Sequence, residues 1–154
     1  MCEKCTKRGD VDYLNNHIKN VESVKNHVLR EFYSEQTKER DSFIGLINKY
    51  ISNIKNIINI KTDASKNTED GYVSWPLVLI GSVVEVEDLE CNTKEALKIV
   101  PPFYDNKGNN LECASCLSPV GSALLLKKIG DKIKVNTPLG ESNLVIKSIE
   151  LPSV

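Results

Sequence analysis

The cysteines are the residues whose spacing most directly suggests chemistry. Cys2-Glu3-Lys4-Cys5 and Cys113-Ala114-Ser115-Cys116 are two C-x-x-C pairs, the number and spacing that a four-cysteine zinc site uses. The second pair falls in a segment that reads as a strand, where residues three apart point to opposite faces. The first lies on an aperiodic stretch that would have to fold back across the molecule. We read Cys113 and Cys116 as packing groups and the first pair as part of an unpaired arm, with no metal and no cofactor expected. His17 and His27 are ten positions apart, which on a helix turns them about 80° from each other, so they make no metal pair. His17 is instead read as a half-buried seam residue. No histidine follows His27, which leaves a Ser-His-Asp or Cys-His set without its base. No enzymatic activity is expected.

A second group is acidic: Glu35, Glu39 and Asp41. Carboxylates are hard oxygen ligands suited to Mg²⁺, and they are also what the positive first turn of a helix attracts. A third group is basic. Lys127, Lys128, Lys132 and Lys134 read either as a surface toward RNA or protein or, more simply, as a solvated strand face.

Across the 154 residues, twenty basic side chains balance twenty-one acidic ones and leave a net charge of −1. That balance gives no whole-chain argument for nucleic acid or an anionic membrane. No apolar run approaches the roughly 20 residues that span a bilayer. Met1 to Arg8 lack the apolar core of a secretion signal. A cytoplasmic protein with reduced cysteines is expected.

The elements that position these groups can be read from periodicity. Residues 1–10 have none and read as a mobile arm. Leu14, Val21 and Val28 recur every seven residues, with Ile18, Val24 and Phe32 on neighbouring positions of one face, the pattern of an amphipathic helix. The pattern breaks over 32–37, where Ser34 or Thr37 can cap a second helix. Phe43, Ile47, Tyr50, Ile54 and Ile57 then take the 4-3-4-3 spacing of a coiled-coil seam, widened by Ile44, Ile51 and Ile58. Two such helices predict an antiparallel hairpin over 11–60. One unbroken helix seeking a partner chain is the competing reading.

Residues 61–74 read as a polar linker, with Trp75-Pro76 packing it against a second domain, 75–154. There the period changes to two. Strands are predicted at 77–80, 83–87, 96–100, 111–117 and 143–149. Between the last two lies the stretch from Ser118 to Pro138. Ser118 suits a helix N-cap, Pro119 the first helical position, and Ala123 to Leu126 a buried helix. Gly130-Asp131 then turns the chain into a strand through Ile133 and Val135. The fold class expected is α+β, a helical hairpin followed by a mostly antiparallel sheet around one short helix.

The run from Leu117 through Asp131, followed by Thr137-Pro138-Leu139-Gly140-Glu141, resembles the C-terminal domain of the bacterial Gre transcript-cleavage factors. Ile80 to Asp88 is similar to that domain's first strand pair. The resemblance implies an FKBP-like domain that binds RNA polymerase at the rim of its secondary channel, and a hairpin that enters the channel. It also implies that docking uses the Ser-Pro loop, here Leu117, Ser118, Pro119 and Val120, with Leu117 where the family carries an acid. Glu35, Glu39 and Asp41 would form the hairpin tip, in a different frame from the family's Asp-Leu-Ser-Glu-Asn run. Short-hairpin relatives share this plan without cleavage activity. The resemblance thus implies a monomeric regulator of transcription elongation that meets DNA or RNA only through the polymerase, with no membrane partner. An FKBP-like peptidyl-prolyl isomerase and a helix-mediated homodimer are the alternatives.

Overall fold

The computed structural model describes residues 3–62, 76–104, 111–138 and 140–152, with the side chains of 3–10, 61, 62 and 137 outside that description. The chain divides into two compact units, Met1–Val73 and Ser74–Ser153. Among the described residues no helix is long and apolar enough to cross a membrane.

The first unit is a hairpin of α1 (Glu3–Glu31) and α2 (Lys38–Thr62). The unbroken-helix alternative is therefore wrong. Thr37 caps the second helix: its hydroxyl accepts from the Arg40 backbone N–H at 3.2 Å, satisfying a donor that has no partner within the helix. The arm expected over 1–10 is also corrected, since α1 already runs from Glu3. Once a helix is nucleated it adds one hydrogen bond per residue without needing an apolar stripe, so periodicity alone places its start too late.

The seam is largely as the spacing predicts. Leu14, Ile18, Val21 and Val28 of α1 are buried, as are Phe43, Ile47, Tyr50, Ile51 and Ile54 of α2. Each such side chain contributes about 1.5–3 kcal/mol when fully removed from water. Val24 and Phe32 depart from the expected face, being 39% and 50% exposed. The predicted stripe was wider than one partner helix covers. His17, expected to be half buried, is 6% exposed. Its Nε2 shares a hydrogen bond of 2.6 Å with the Tyr50 hydroxyl, and its ring stacks on Tyr13 at 6.4 Å.

The second unit is a five-stranded sheet in the order β3-β2-β1-β5-β4, with β1 at Val83–Asp88, β2 at Thr93–Val100, β3 at Glu112–Ser115, β4 at Lys132–Thr137 and β5 at Gly140–Glu150. It is antiparallel except for β2 and β3, which run parallel. A six-residue helix, α3 (Pro119–Leu124), packs against β3 and β4. Leu79, Val84, Ile99, Leu124 and Ile146 are fully buried.

Two predicted elements change for one shared reason. Residues 77–80 are buried and form a single antiparallel bridge, Leu77 with Lys128, not a strand, and α3 ends at Leu124 rather than Leu126. The Leu126 N–H donates to the Val78 carbonyl at 2.7 Å, and Val78 N–H to the Lys127 carbonyl at 2.9 Å. That exchange holds Leu126 at a φ of 63°, outside helical geometry. The chain then tightens at Leu79–Ser82, where the fully buried Ser82 hydroxyl accepts from Leu79 N–H at 2.9 Å. Trp75 lies outside the described residues.

Burial pushes the His17 pKa from 6.5 down to about 4. Between those values the unfolded chain holds a proton that the folded hairpin does not. Stability is therefore full above pH 6.5 and falls as pH drops through it, by up to about 1.4 kcal/mol per pH unit, until it levels near pH 4. Urea unfolding followed by helical circular dichroism should show that slope. A His17→Leu/Tyr50→Phe variant, which removes both polar partners together, should flatten it at little cost in stability at neutral pH.

Candidate functional site

Within the second unit, the candidate surface is built around the N-terminus of α3. Ser118 is its N-cap, at φ −72° and ψ 158°. The Ser118 hydroxyl accepts from the Gly121 N–H at 3.0 Å and donates to the Ser115 carbonyl at 2.7 Å. The Ser118 N–H donates to the same carbonyl at 2.9 Å. Both functions of the hydroxyl are thus engaged within the loop. This close approach requires glycine at 121, because an added Cβ would run into the Ser115 carbonyl oxygen.

Ser118 is accordingly a structural residue of this loop, and its neighbours present the surface. Pro119 is exposed; Leu117 and Val120 are half buried. Val120 also lines a cleft of about 380 Å³ on the face of the sheet that carries α3. Val86, Leu97, Val135 and Leu144 form its apolar floor. The six-residue α3 covers only part of that face, which is why the cleft stays open. Asp88, Glu95 and Glu112 line it as well.

No local spacing in the sequence groups those three acids, which come from β1, β2 and β3. In β2, Glu95 alternates onto the face of Leu97 and Ile99, but it precedes the strand expected over 96–100, which begins at Thr93 in the structure.

The turn after α3 is fixed by Asp131. Its carboxylate accepts from the Lys128 N–H at 3.0 Å and pairs with the Lys128 ammonium at 3.2 Å. The backbone hydrogen bond is the main cause holding the carboxyl below its usual range. Gly130, at φ 92°, supplies the left-handed step that a side chain resists. The basic cluster is less free than the sequence suggests: Lys128 is bound to Asp131, and Lys134 pairs with Glu141 at 2.6 Å.

Of the cysteines, Cys113 is half buried in β3 and Cys116 is buried just beyond it. Burial pushes the Cys116 thiol up to about 11, so it is a packing group rather than a nucleophile. The side chains of Cys2 and Cys5 lie outside the described residues.

In the first unit, Glu35 is exposed in the α1–α2 connection, and Glu39 and Asp41 are exposed in the first turn of α2. Two positions apart on a helix, Glu39 and Asp41 point about 160° from each other. The connection is held by the Arg40 Nε donating to the Tyr33 carbonyl at 3.0 Å and by Tyr33 packing on Phe43 at 5.7 Å. Among the described residues no group of three or more His, Cys, Asp or Glu is arranged to hold a metal.

Residues 76–151, nearly the whole of the second unit, match the family described as transcription elongation factor, GreA/GreB, C-terminal. The transcription elongation factor GreA of Syntrophus aciditrophicus is 30% identical over 138 residues, covering 86% of this chain and 78% of that protein. The chain belongs to the GreA/GreB family. With that membership comes the general role of an RNA-polymerase-binding transcription regulator. The transcription inhibitor protein Gfh1 of Thermus aquaticus is 33% identical over 70 residues, 46% of this chain and 45% of that protein. The crystal structure of Gfh1 from Thermus thermophilus covers 95% of this chain and 93% of its own, with a TM-score of 0.45 at 21% identity.

If this loop shapes the GreA/GreB surface as its hydrogen bonds imply, Gly121→Ala should cost about 3 kcal/mol through overpacking against the Ser115 backbone. Ser118→Ala should cost about 1–2 kcal/mol through loss of the cap. Denaturant unfolding followed by circular dichroism would measure both, and the order of the two costs is the point to check.

Proposed function

We propose that this GreA/GreB-family protein docks on RNA polymerase at the rim of the secondary channel through Leu117, Pro119 and Val120, with Ser118 shaping the loop. The observation that carries this reading is the exposed Pro119, rigid at the first position of α3 and pinned by the Ser118 cap beside an open apolar cleft. A preorganised apolar contact of that kind loses little entropy on binding. The hairpin would point into the channel and modulate elongation, or compete with other Gre-type factors for the rim.

We do not assign transcript cleavage to it. Glu35, Glu39 and Asp41 are spread over the connection and opposite sides of α2, and carboxylates that share one Mg²⁺ must converge to about 2.1 Å from it. Glu39 and Asp41 serve the helix start, where negative charge is stabilised by the dipole. The isomerase alternative gains no support from the cleft, whose described lining carries no aromatic side chain.

Purified protein should co-migrate with core polymerase, and Pro119→Ala should weaken that association about tenfold, as expected for an interface anchor, without changing the unfolding midpoint appreciably. In a stalled-complex assay the protein should alter elongation without shortening the transcript. Failure to co-migrate, or an unchanged Pro119→Ala variant, would remove the docking reading.

A further inference from the structure

Charge is sorted across the sheet of the second unit. Side chains alternate between faces along a strand. On β2, Glu95 and Leu97 therefore share one face, and Lys94 and Lys98 take the other. On β4, Val135 lies on the cleft side, with Lys132 and Lys134 turned away from it. Lys98 is held on the outer face by the Tyr104 hydroxyl at 3.0 Å. Lys147 pairs with Glu87, whose side chain lies opposite the cleft-lining Val86 and Asp88. Among the described residues, the cleft is lined by Asp88, Glu95 and Glu112 and by no Lys, Arg or His.

These carboxylates are differently committed. Asp88 uses one oxygen to accept from the Glu90 and Cys91 N–H groups at 2.9 and 3.3 Å, closing the β1–β2 turn. Glu95 and Glu112 are exposed at the rim, with no ion pair or hydrogen bond to a described side chain. They flank a floor of Val86, Leu97 and Leu144. At about 380 Å³ the cleft is at the small end of ligand pockets, which run from about 300 to 1,000 Å³. It has room for a few side chains, not for a folded element.

We infer that this cleft takes a protein segment that carries Lys or Arg beside a small apolar side chain, with Glu95 and Glu112 reading the cation. Lysine and arginine suit both requirements, because their methylene stems cover apolar surface as the charged head reaches the rim. An acidic segment would meet three like charges, and a purely apolar one would desolvate Glu95 and Glu112 without compensation. The inference rests on the docking reading and narrows it: the polymerase segment that meets this face is cationic.

Two measurements on the full chain separate the two ideas. In the first, ¹⁵N-labelled protein is titrated with three synthetic peptides of equal length, one alternating Leu and Lys, one Leu and Glu, one Gly and Lys. The Leu–Lys peptide should shift the amide signals of Leu97, Ala114 and Val120. The other two should not, and Glu95→Gln/Glu112→Gln should weaken the Leu–Lys peptide about tenfold, whereas Glu87→Gln on the outer face should not. In the second, affinity for core polymerase should fall with added salt, and the double variant should reduce that dependence.

Equal response to the Leu–Glu peptide, shifts outside the cleft, or no response to any peptide would overturn the inference. So would a double variant that binds polymerase like wild type while Pro119→Ala does not, leaving docking intact. A Leu–Lys peptide seated in the cleft of a protein that ignores polymerase would instead overturn the docking reading and uphold the cleft's chemistry.

Discussion

The second unit depends on one backbone approach: Gly121 set against the carbonyl of Ser115, with the Ser118 hydroxyl between them. That carbonyl ends β3, and Gly121 sits in the first turn of α3. The contact therefore joins strand to helix with no slack, and the N-cap satisfies a helix donor and a strand acceptor together. Everything the surface offers depends on it. Pro119 is rigid because its neighbour is capped, and the cleft is open because the helix so anchored runs only six residues.

The hairpin rests on a different kind of constraint. Among the described residues its seam is apolar except at His17 and Tyr50, whose short hydrogen bond forms where the other buried seam positions are interchangeable apolar groups. An apolar stripe tolerates slippage by a turn, but a buried polar pair does not, since slippage would leave both groups unsatisfied. The pair thus favours one alignment of α1 on α2. At the far end, Thr37 and Arg40 hold the connection, while Phe32 stays half exposed. The connection presents aromatic and mixed-charge groups rather than a converging set of carboxylates.

Strand alternation also accounts for the character of the cleft. With lysines turned outward on β2 and β4 and carboxylates left on the cleft side, a chain of nearly zero net charge acquires a local field that its composition conceals. Surface fields depend on arrangement, not on totals. This is why net charge carries no information about the cleft, and why the loop from Leu117 to Val120 is recognisable in sequence while its acidic surroundings are not.

The sequence by itself determined the two apolar helical stripes, the Ser118-Pro119 cap and the Gly130-Asp131 turn, because each is written in local spacing or in one residue's conformational preference; that the stripes fold into a hairpin rather than one long helix was decided by the structure. The sequence misplaced what depends on distant partners. Residues 77–80 have a strand's composition, yet Val78 exchanges its hydrogen bonds with Leu126 and Lys127, and the same exchange shortens α3. Val24 fits the helical stripe but lies beyond what α2 covers. The parallel pairing of β2 with β3 and the meeting of Asp88, Glu95 and Glu112 at one cleft come from three separate strands. Local preference sets each strand's alternation; only the register between strands decides which faces meet, and that register exists only in the folded sheet.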